Sequence, residues 1–454
     1  MPARRLATPG GAAPTVALVD WSPLIEDFLD GLGLSFAEFR DEMSGGWMFG
    51  YVDALARAGV RTVVVCVSAR VADVERHVHA ATGAPLVVLP APRAYRALRR
   101  SEGNPYAPTP PEAWHAMRPS RRLLHRALRQ AAPYLSTPPR ALARVLREER
   151  CDVLLGQDYE HARFDVCLAV GRALGLPVFA TFQGGDAALA WIERVPRPLA
   201  LRAADGLIIG TSREAERVQR RYGVAADGIA RIFNPLDTSV WWEGERGAER
   251  AAARSALGIP DDARVVAWHG RIAILDKGLD VLLDAWARLR AARPGADLRL
   301  LLLGAGPDGP ALARRLAAPE LGGVHWRDEY VRDRGEIRRR LAAADVYAFT
   351  SRREGFPVAP VEAMACALPV VAADAPGVAD ILDDGERSGG IIVPTADGAA
   401  TAAAIGRLLD DPALARTLGA RARARAEEAF SPERVGAQLR DFLFRERKPG
   451  AHRR

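Results

Sequence analysis

Short runs of β-branched and aliphatic residues alternate along the chain with longer stretches whose apolar positions recur at helical spacing. Runs at 16–20, 62–67, 86–89, 152–155, 178–181, 207–209 and 229–233 predict the strands of a first half. A second series, at 264–268, 298–303, 323–326, 346–349, 370–372 and 391–393, predicts those of a second half. Continuous rather than alternating apolar runs mark parallel strands buried on both faces, and the helical patterns between them supply the cover. Between the two series, 237–263 is polar and charge-rich and reads as a linker and helix with no strand. The pattern therefore predicts an α/β chain of two doubly wound, Rossmann-like domains, 1–238 and 239–430, joined near 237–243 and facing a cleft. Ligands in such folds gather at the C-terminal ends of strands, so the cleft is the expected active site.

Composition narrows the class. A chain of 454 residues, 49% hydrophobic and 26% charged, has enough apolar content for two cores and is neither collagen-like nor disordered. No apolar run approaches the roughly 18 residues of a spanning helix. The basic N-terminus leads into only a short apolar stretch, Val16 to Val19, before Asp20, so no secretory signal is expected and a cytoplasmic location is. Cys66, Cys151, Cys167 and Cys366 form no C-x-x-C pair and have no His at metal-ligand spacing; they read as reduced thiols in or near the core.

Charge is uneven. Lysine occurs only at Lys277 and Lys448, so the other 61 of 63 basic residues are arginines, a bias that a GC-rich genome produces by itself. The segment 93–150 holds 13 arginines against four glutamates, while the whole chain carries +7. Within it, 120–132 predicts a helix with Ser120 as N-cap, Leu123, Leu124, Ala127 and Leu128 on one face and arginines around the rest. Two readings stand: peripheral contact with an anionic membrane surface at its inner face, or a stripe packed on its own domain. Nucleic acid is not an expected partner, because no recognised module or aromatic platform accompanies the arginines. The Pro-rich 104–114 reads as a surface excursion and 448–454 as a disordered tail.

Two segments carry candidate chemistry. The strand RVVAWHG ends in Gly270-Arg271, and Lys277-Gly278 follows before a helical pattern. A guanidinium fork and a movable ammonium on one short loop can both reach a diphosphate and offset the charge of a leaving group. In SRREGFPVAPVEAMACALPVV, from Ser351 to Val371, a strand end is followed by Glu354, the loop Gly355-Phe356-Pro357, and a helix with Pro360 in its first turn and Glu362 behind it. Amides at such a helix start form an anion site, Gly355 permits close backbone approach, and the carboxylates can accept from hydroxyls of a sugar and a ribose.

Together, HGRIAILDKG and the E-x7-E from Glu354 to Glu362 resemble the donor half of GT-B glycosyltransferases, specifically the retaining family 4. RIFNPLDTSVW resembles the family's Asn-Gly-Val-Asp type segment, and LLLLGAGPDG its next strand and loop. FSPERVGAQLRDFLF resembles the C-terminal helix, here 431–447, that crosses back to the first domain. Gly45-Gly46 before a helix and the strand end ATFQGGD, with Gln183 and Gly184, also fit. The resemblance implies an enzyme that moves a hexosyl-type sugar, with retention, from a nucleotide-diphosphate sugar to a glycan or lipid-linked acceptor, with no metal or cofactor. Its setting would be assembly of a polysaccharide or glycolipid. Arg271 and Lys277 would neutralise the diphosphate. Glu354 and the Gly355-Phe356-Pro357 backbone would hold the sugar, beside Gly270 and Val358, and Glu362 would hold the ribose. Gly45, Gly46, Gln183 and Gly184 would face the donor sugar or the acceptor.

The chain departs from that pattern in places. Gln183 stands where many members have a His, which removes any proton shuttle. Ala367 stands where Gly is common, an expected tolerable packing change. The stretch 21–44 is longer than the usual loop; its Trp21, Phe28, Phe36 and Phe39 either shape the acceptor pocket or pack as an ordinary insertion. No D-x-D occurs, and Asp158-Tyr159-Glu160 is the nearest match. Three rivals remain. G-x-G-x-x-G at Gly304 to Gly309, with Asp328 beyond the next strand, suggests an NAD-type oxidoreductase. That motif is not on the first strand of its domain, is crowded by Pro307 and Pro310, and leaves the E-x7-E unexplained. A GT-B-shaped sugar-nucleotide epimerase and an inactive binding scaffold are the other two.

Overall fold

Every predicted apolar run forms a strand in the computed structural model, which describes residues 13–20, 22–44, 46–102, 117–184, 189–242, 246–331 and 333–445. The chain divides into two compact units. The first comprises Met1–Gly210, Glu214–Ile232 and Val435–Arg454, the second Thr211–Arg213 and Phe233–Arg434.

The first unit holds β1 (Thr15–Val19), β2 (Arg61–Ser68), β3 (Glu75–Val78), β4 (Pro85–Pro90), β5 (Val153–Gly156), β6 (Val178–Thr181), β7 (Gly206–Ile208) and β8 (Ile229–Ala230). They form one sheet in the order β3-β4-β2-β1-β5-β6-β7-β8, parallel except for β3. Along β1, Val16 and Leu18 enter one core cluster while Ala17 and Val19 enter another, so the sheet is covered on both faces. Its sequence reads as a continuous apolar run for that reason. β3 was not predicted: ERHV is an edge strand with mostly exposed side chains and carries no apolar signal. Val435, Leu439 and Leu443, on the helix Pro432–Leu443, complete the cluster that receives Val16.

The second unit is parallel throughout. β9 (Arg264–His269), β10 (Leu298–Leu303), β11 (Val324–Arg327), β12 (Val346–Phe349), β13 (Val370–Ala373) and β14 (Gly390–Val393) take the order β11-β10-β9-β12-β13-β14. This is the doubly wound arrangement, with strand order reversing between β9 and β12. Val265 and Ala267 pack on one face and Val266 and Trp268 on the other.

Several local expectations need correction. The stretch 237–263 holds a helix and no strand, as expected, but within it Trp241 is fully buried in the second unit's core and its carbonyl accepts from Cys366 Sγ. The basic helix spans Pro119–Leu135 and starts at Pro119, with Arg118 rather than Ser120 as N-cap. Its ring-fixed φ makes proline the better first residue. Leu123 and Leu124 are 70% and 49% exposed and only Leu128 of the expected stripe packs on the core, so the stripe is not covered by its own unit. In the insertion, the helices Ile25–Leu32 and Phe36–Asp41 pack inward: Phe39 is fully buried and meets Phe49 at 5.2 Å. Trp21, the Pro-rich 104–114, the N-terminal 1–12 and the tail at 448–454 lie outside the described residues. The four cysteines are buried and unpaired.

Ala367 is a conformational departure rather than a packing one. The helix Val358–Ala365 ends in paired bonds, Leu368 N–H to Ala363 O and Ala367 N–H to Met364 O, which require left-handed backbone at Ala367, where φ is 54°. A Cβ is disfavoured there. Ala367→Gly is expected to raise unfolding stability by about 1 kcal/mol, read from urea midpoints; an unchanged or lower midpoint would contradict this account of the helix end.

Candidate functional site

The crevice of the second unit opens at the C-terminal ends of β9 and β12. Two loops leave it, 270–278 after β9 and 350–357 after β12, and they are stitched together. Arg352 N donates to Asp276 O at 2.9 Å, and its guanidinium donates to Leu275 O at 2.8 Å and to Asp280 at 2.7 and 2.8 Å. Thr350 Oγ1 donates to Lys277 O at 3.2 Å. Gly278 has φ 62°, and a Cβ built on it would lie 1.9 Å from Thr350 O. No side chain fits there, so glycine is a condition of the contact. The contact sets Lys277 Nζ 2.7 Å from Glu354 Oε1, both side chains largely buried. Arg271 is exposed and has no ion-pair partner among the described residues.

Behind this pair, Pro357 caps the helix Val358–Ala365 without any side-chain bond to its first turn, leaving the Val358 and Ala359 amides to other partners. Pro360 occupies that first turn, as expected. Phe356 turns its ring onto Phe233 and Phe430, at 5.7 and 6.2 Å, so it offers backbone rather than side chain to a ligand. Glu362 Oε2 lies 2.8 Å from His269 Nε2. His269 rests against Tyr347, and its Nδ1 is buried without a partner. The sequence reading passed over His269, because the register of β9 beside β12, not any spacing, brings it to Glu362. Gly270, Arg271, Lys277, Glu354 to Val358 and Glu362 thus border one crevice.

The rival motif is used differently. Gly304 and Gly306 receive the loop from β9: Cβ atoms there would meet Gly270 O at 1.8 Å and Ile272 O at 2.3 Å. Asp308 accepts from Ile274 N at 2.7 Å. These glycines serve the packing of loop against loop.

In the first unit, strand order reverses at β1 and β5, and two carboxylates follow those strands. Asp20 pairs with Arg163, yet burial pushes its pKa up to about 7 against that attraction. Asp158 sits in left-handed backbone, φ 66°, accepts from Glu160 N at 2.9 Å, and is likewise pushed up to about 7 by burial. Glu160 is taken by Arg217 and Tyr222, so the D-x-E is two separately engaged acids. Gln183 Nε2 donates to Thr181 Oγ1 at 3.0 Å, and Gly184 has φ 115°. Gly46 opens the helix Gly46–Arg57; Gly45 lies outside the described residues. Neither Asp20 nor Arg163 was singled out from the sequence, since only the fold buries them together. Among the described residues no group of three His, Cys, Asp or Glu is placed to hold a metal ion.

Comparison with known proteins gives the family. The family model for glycosyl transferases group 1 matches 263–411, and that for glycosyltransferase family 4 matches 48–240. The chain belongs to the family 4 glycosyltransferases. It is 36% identical over 249 residues to a D-inositol 3-phosphate glycosyltransferase of Saccharomonospora viridis, covering 54% of this chain and 56% of that protein. It is 32% identical over 267 residues to an alpha-maltose-1-phosphate synthase of Mycolicibacterium smegmatis, covering 56% and 66%. The matches to D-inositol 3-phosphate glycosyltransferases span little more than half the length of those curated relatives. Among solved structures, HepE of Anabaena in complex with UDP shares the fold, with a TM-score of 0.65 at 16% identity over 94% of this chain and 99% of that one.

Within this family 4 chain, Asp158 offers a test of the first unit's electrostatics. A carboxyl with a folded pKa near 7 and an unfolded value near 4 binds its proton more tightly when folded, so its contribution to stability falls as pH rises through that window. Asp158→Asn, which tolerates left-handed backbone, is expected to lose less stability than the wild type between pH 5 and pH 8, by roughly 1–3 kcal/mol in urea unfolding. Parallel losses in the two proteins would contradict the burial of that charge.

Proposed function

We propose that the chain transfers a glycosyl group from a nucleotide-diphosphate sugar to a hydroxyl acceptor, with retention of configuration and without a metal. The observation that carries this reading is Lys277 on Glu354 at the β9/β12 crevice, beside uncapped helix amides and the exposed Arg271. A diphosphate entering there meets Arg271 and Lys277, which offset the charge that grows as the glycosidic bond breaks. The Val358 and Ala359 amides supply further donors. Glu354, released from sole attachment to Lys277, accepts from sugar hydroxyls, and Glu362, held by His269, accepts from the ribose. With no carboxylate pair assigned to a covalent intermediate, the leaving phosphate takes the acceptor's proton on the same face. Anabaena HepE, which shares the fold, was crystallised in complex with UDP, and that makes uridine the first base to try.

The acceptor side rests on a different observation. Leu123 and Leu124 are exposed on the arginine-rich helix Pro119–Leu135, and Trp191, 64% exposed, is tied to that helix through its N–H to Gln130 Oε1 at 3.0 Å. Val195 and Leu199, which follow Trp191 in the chain, are 71% and 55% exposed. Apolar residues rimmed by arginines suit an anionic bilayer surface, which favours a lipid-linked or membrane-borne glycan acceptor. No helix among the described residues is long and apolar enough to cross a membrane. The names of the curated relatives speak instead of phosphorylated small molecules.

Two experiments test these readings. Lys277→Ala and Glu362→Ala are each expected to cut sugar transfer from labelled UDP-, GDP- or ADP-sugars by about a hundredfold or more with the fold intact by circular dichroism; full turnover in either would overturn the site. The wild type is expected to sediment with anionic vesicles in a salt-sensitive way that weakens when Arg121, Arg122, Arg126 and Arg129 are replaced by serine. Indifference to vesicles would remove the membrane reading and leave the small phosphorylated acceptor.

A further inference from the structure

The second unit carries a cavity of about 690 Å³ that the proposed transfer does not use. It lies at the opposite end of the sheet from the candidate site: Arg264 is the first residue of β9, Asp345 precedes β12 and Pro369 precedes β13. Five arginines line it against one acid, Asp345. That acid is already saturated, accepting from Arg250 at 3.0 Å, Arg254 at 2.9 Å and Val265 N at 2.9 Å. Arg423 is held by Glu427 and lies over the Trp242 ring at 5.2 Å. The remaining three have no carboxylate within ion-pair distance among the described residues, although Asp410 feels the charge of Arg264 and Arg246 that of Asp345 and Glu249. Arg246 spends its guanidinium on the carbonyls of Ala342 and Ala344, which neutralise nothing, and burial pulls its pKa below the usual value. The side chains of Arg264 and Arg416 make no hydrogen bond or ion pair among the described residues. Asp410, next in the chain after the lining residue Leu409, is bound to Arg293. The rest of the wall is largely apolar, with Trp242, Leu409 and Pro412 prominent.

Five cations lining a roomy cavity repel one another, and with Arg264 and Arg416 bonded to no carboxylate among the described residues the arrangement is relieved by an anion with several acceptor oxygens. The volume lies within the range of small-molecule sites, and the apolar wall suits a ring or carbon body attached to that anion. We propose that this cavity binds a ring-bearing organic phosphate, at a site separate from the β9/β12 crevice, with Arg264 and Arg416 on the phosphate and Trp242 beside the ring.

Phenyl phosphate is the probe, titrated calorimetrically into the full chain, because it carries both parts and no nucleoside for the donor site. Binding at sub-millimolar Kd is expected, with inorganic phosphate weaker. Arg264→Ser/Arg416→Ser is expected to weaken it at least about tenfold. Arg416→Glu, a single change at an exposed side chain, is expected to do the same with the unfolding midpoint retained. No binding by the wild type, or undiminished binding by both folded variants, would overturn the proposal. Inorganic phosphate binding as tightly as phenyl phosphate would overturn the assignment of a ring.

Discussion

The contact of Gly278 with Thr350 O is the constraint on which the second unit's site depends. Two loops from neighbouring strands can meet backbone to backbone only where one has no Cβ, and the chain places glycine in left-handed backbone there. Arg352 then bonds across to Leu275, Asp276 and Asp280, locking the loops in register. Lys277 and Glu354, separated in sequence by a strand, a helix and more, become an ion pair as a consequence. The same device recurs at Gly304 and Gly306, which receive the other end of the loop from β9. Three glycines therefore hold one loop, and the charged residues follow from its position.

The acidic groups of this site are engaged by its own side chains. Lys277 is paired with Glu354 and Glu362 shares a hydrogen bond with His269, while Arg271 is exposed with no ion-pair partner among the described residues. In the proposed reaction the diphosphate competes with Glu354 for Lys277. Binding then both fills the anion site and frees a carboxylate for the sugar, which couples recognition of the two halves of the donor. The scarcity of lysine gives this some force: in a chain that otherwise uses arginine, Lys277 is a compact ammonium able to swing between two oxygens, where a guanidinium fork would be tied to one.

Much of the fold was legible because strands buried on both faces read as unbroken apolar runs, and all those predicted are present. β3 escaped because an exposed edge has no such run, and the full burial of Trp241 escaped because its neighbours are polar. Arg271, Lys277, Glu354 and Glu362 were legible because each lies within a short motif next to a strand end. His269, Asp20 and Arg163 were not, since Glu362 and Arg163 sit on helices that follow β12 and β5, and only the pairing of those strands with β9 and β1 brings the partners together. Ala367 was recognised as unusual but for the wrong reason: its meaning lies in the helix-end bonds that demand positive φ, which no side-chain volume reveals.

The central claim is that the Gly278 contact builds a nucleoside diphosphate site. The direct measurement is calorimetric titration of UDP, GDP, ADP and NAD into the wild type and Gly278→Ala, below the unfolding temperature of each. The account predicts that one nucleoside diphosphate binds the wild type, that NAD does not, and that Gly278→Ala loses that binding while remaining folded. Equal binding by Gly278→Ala, or binding of NAD alone, would contradict it.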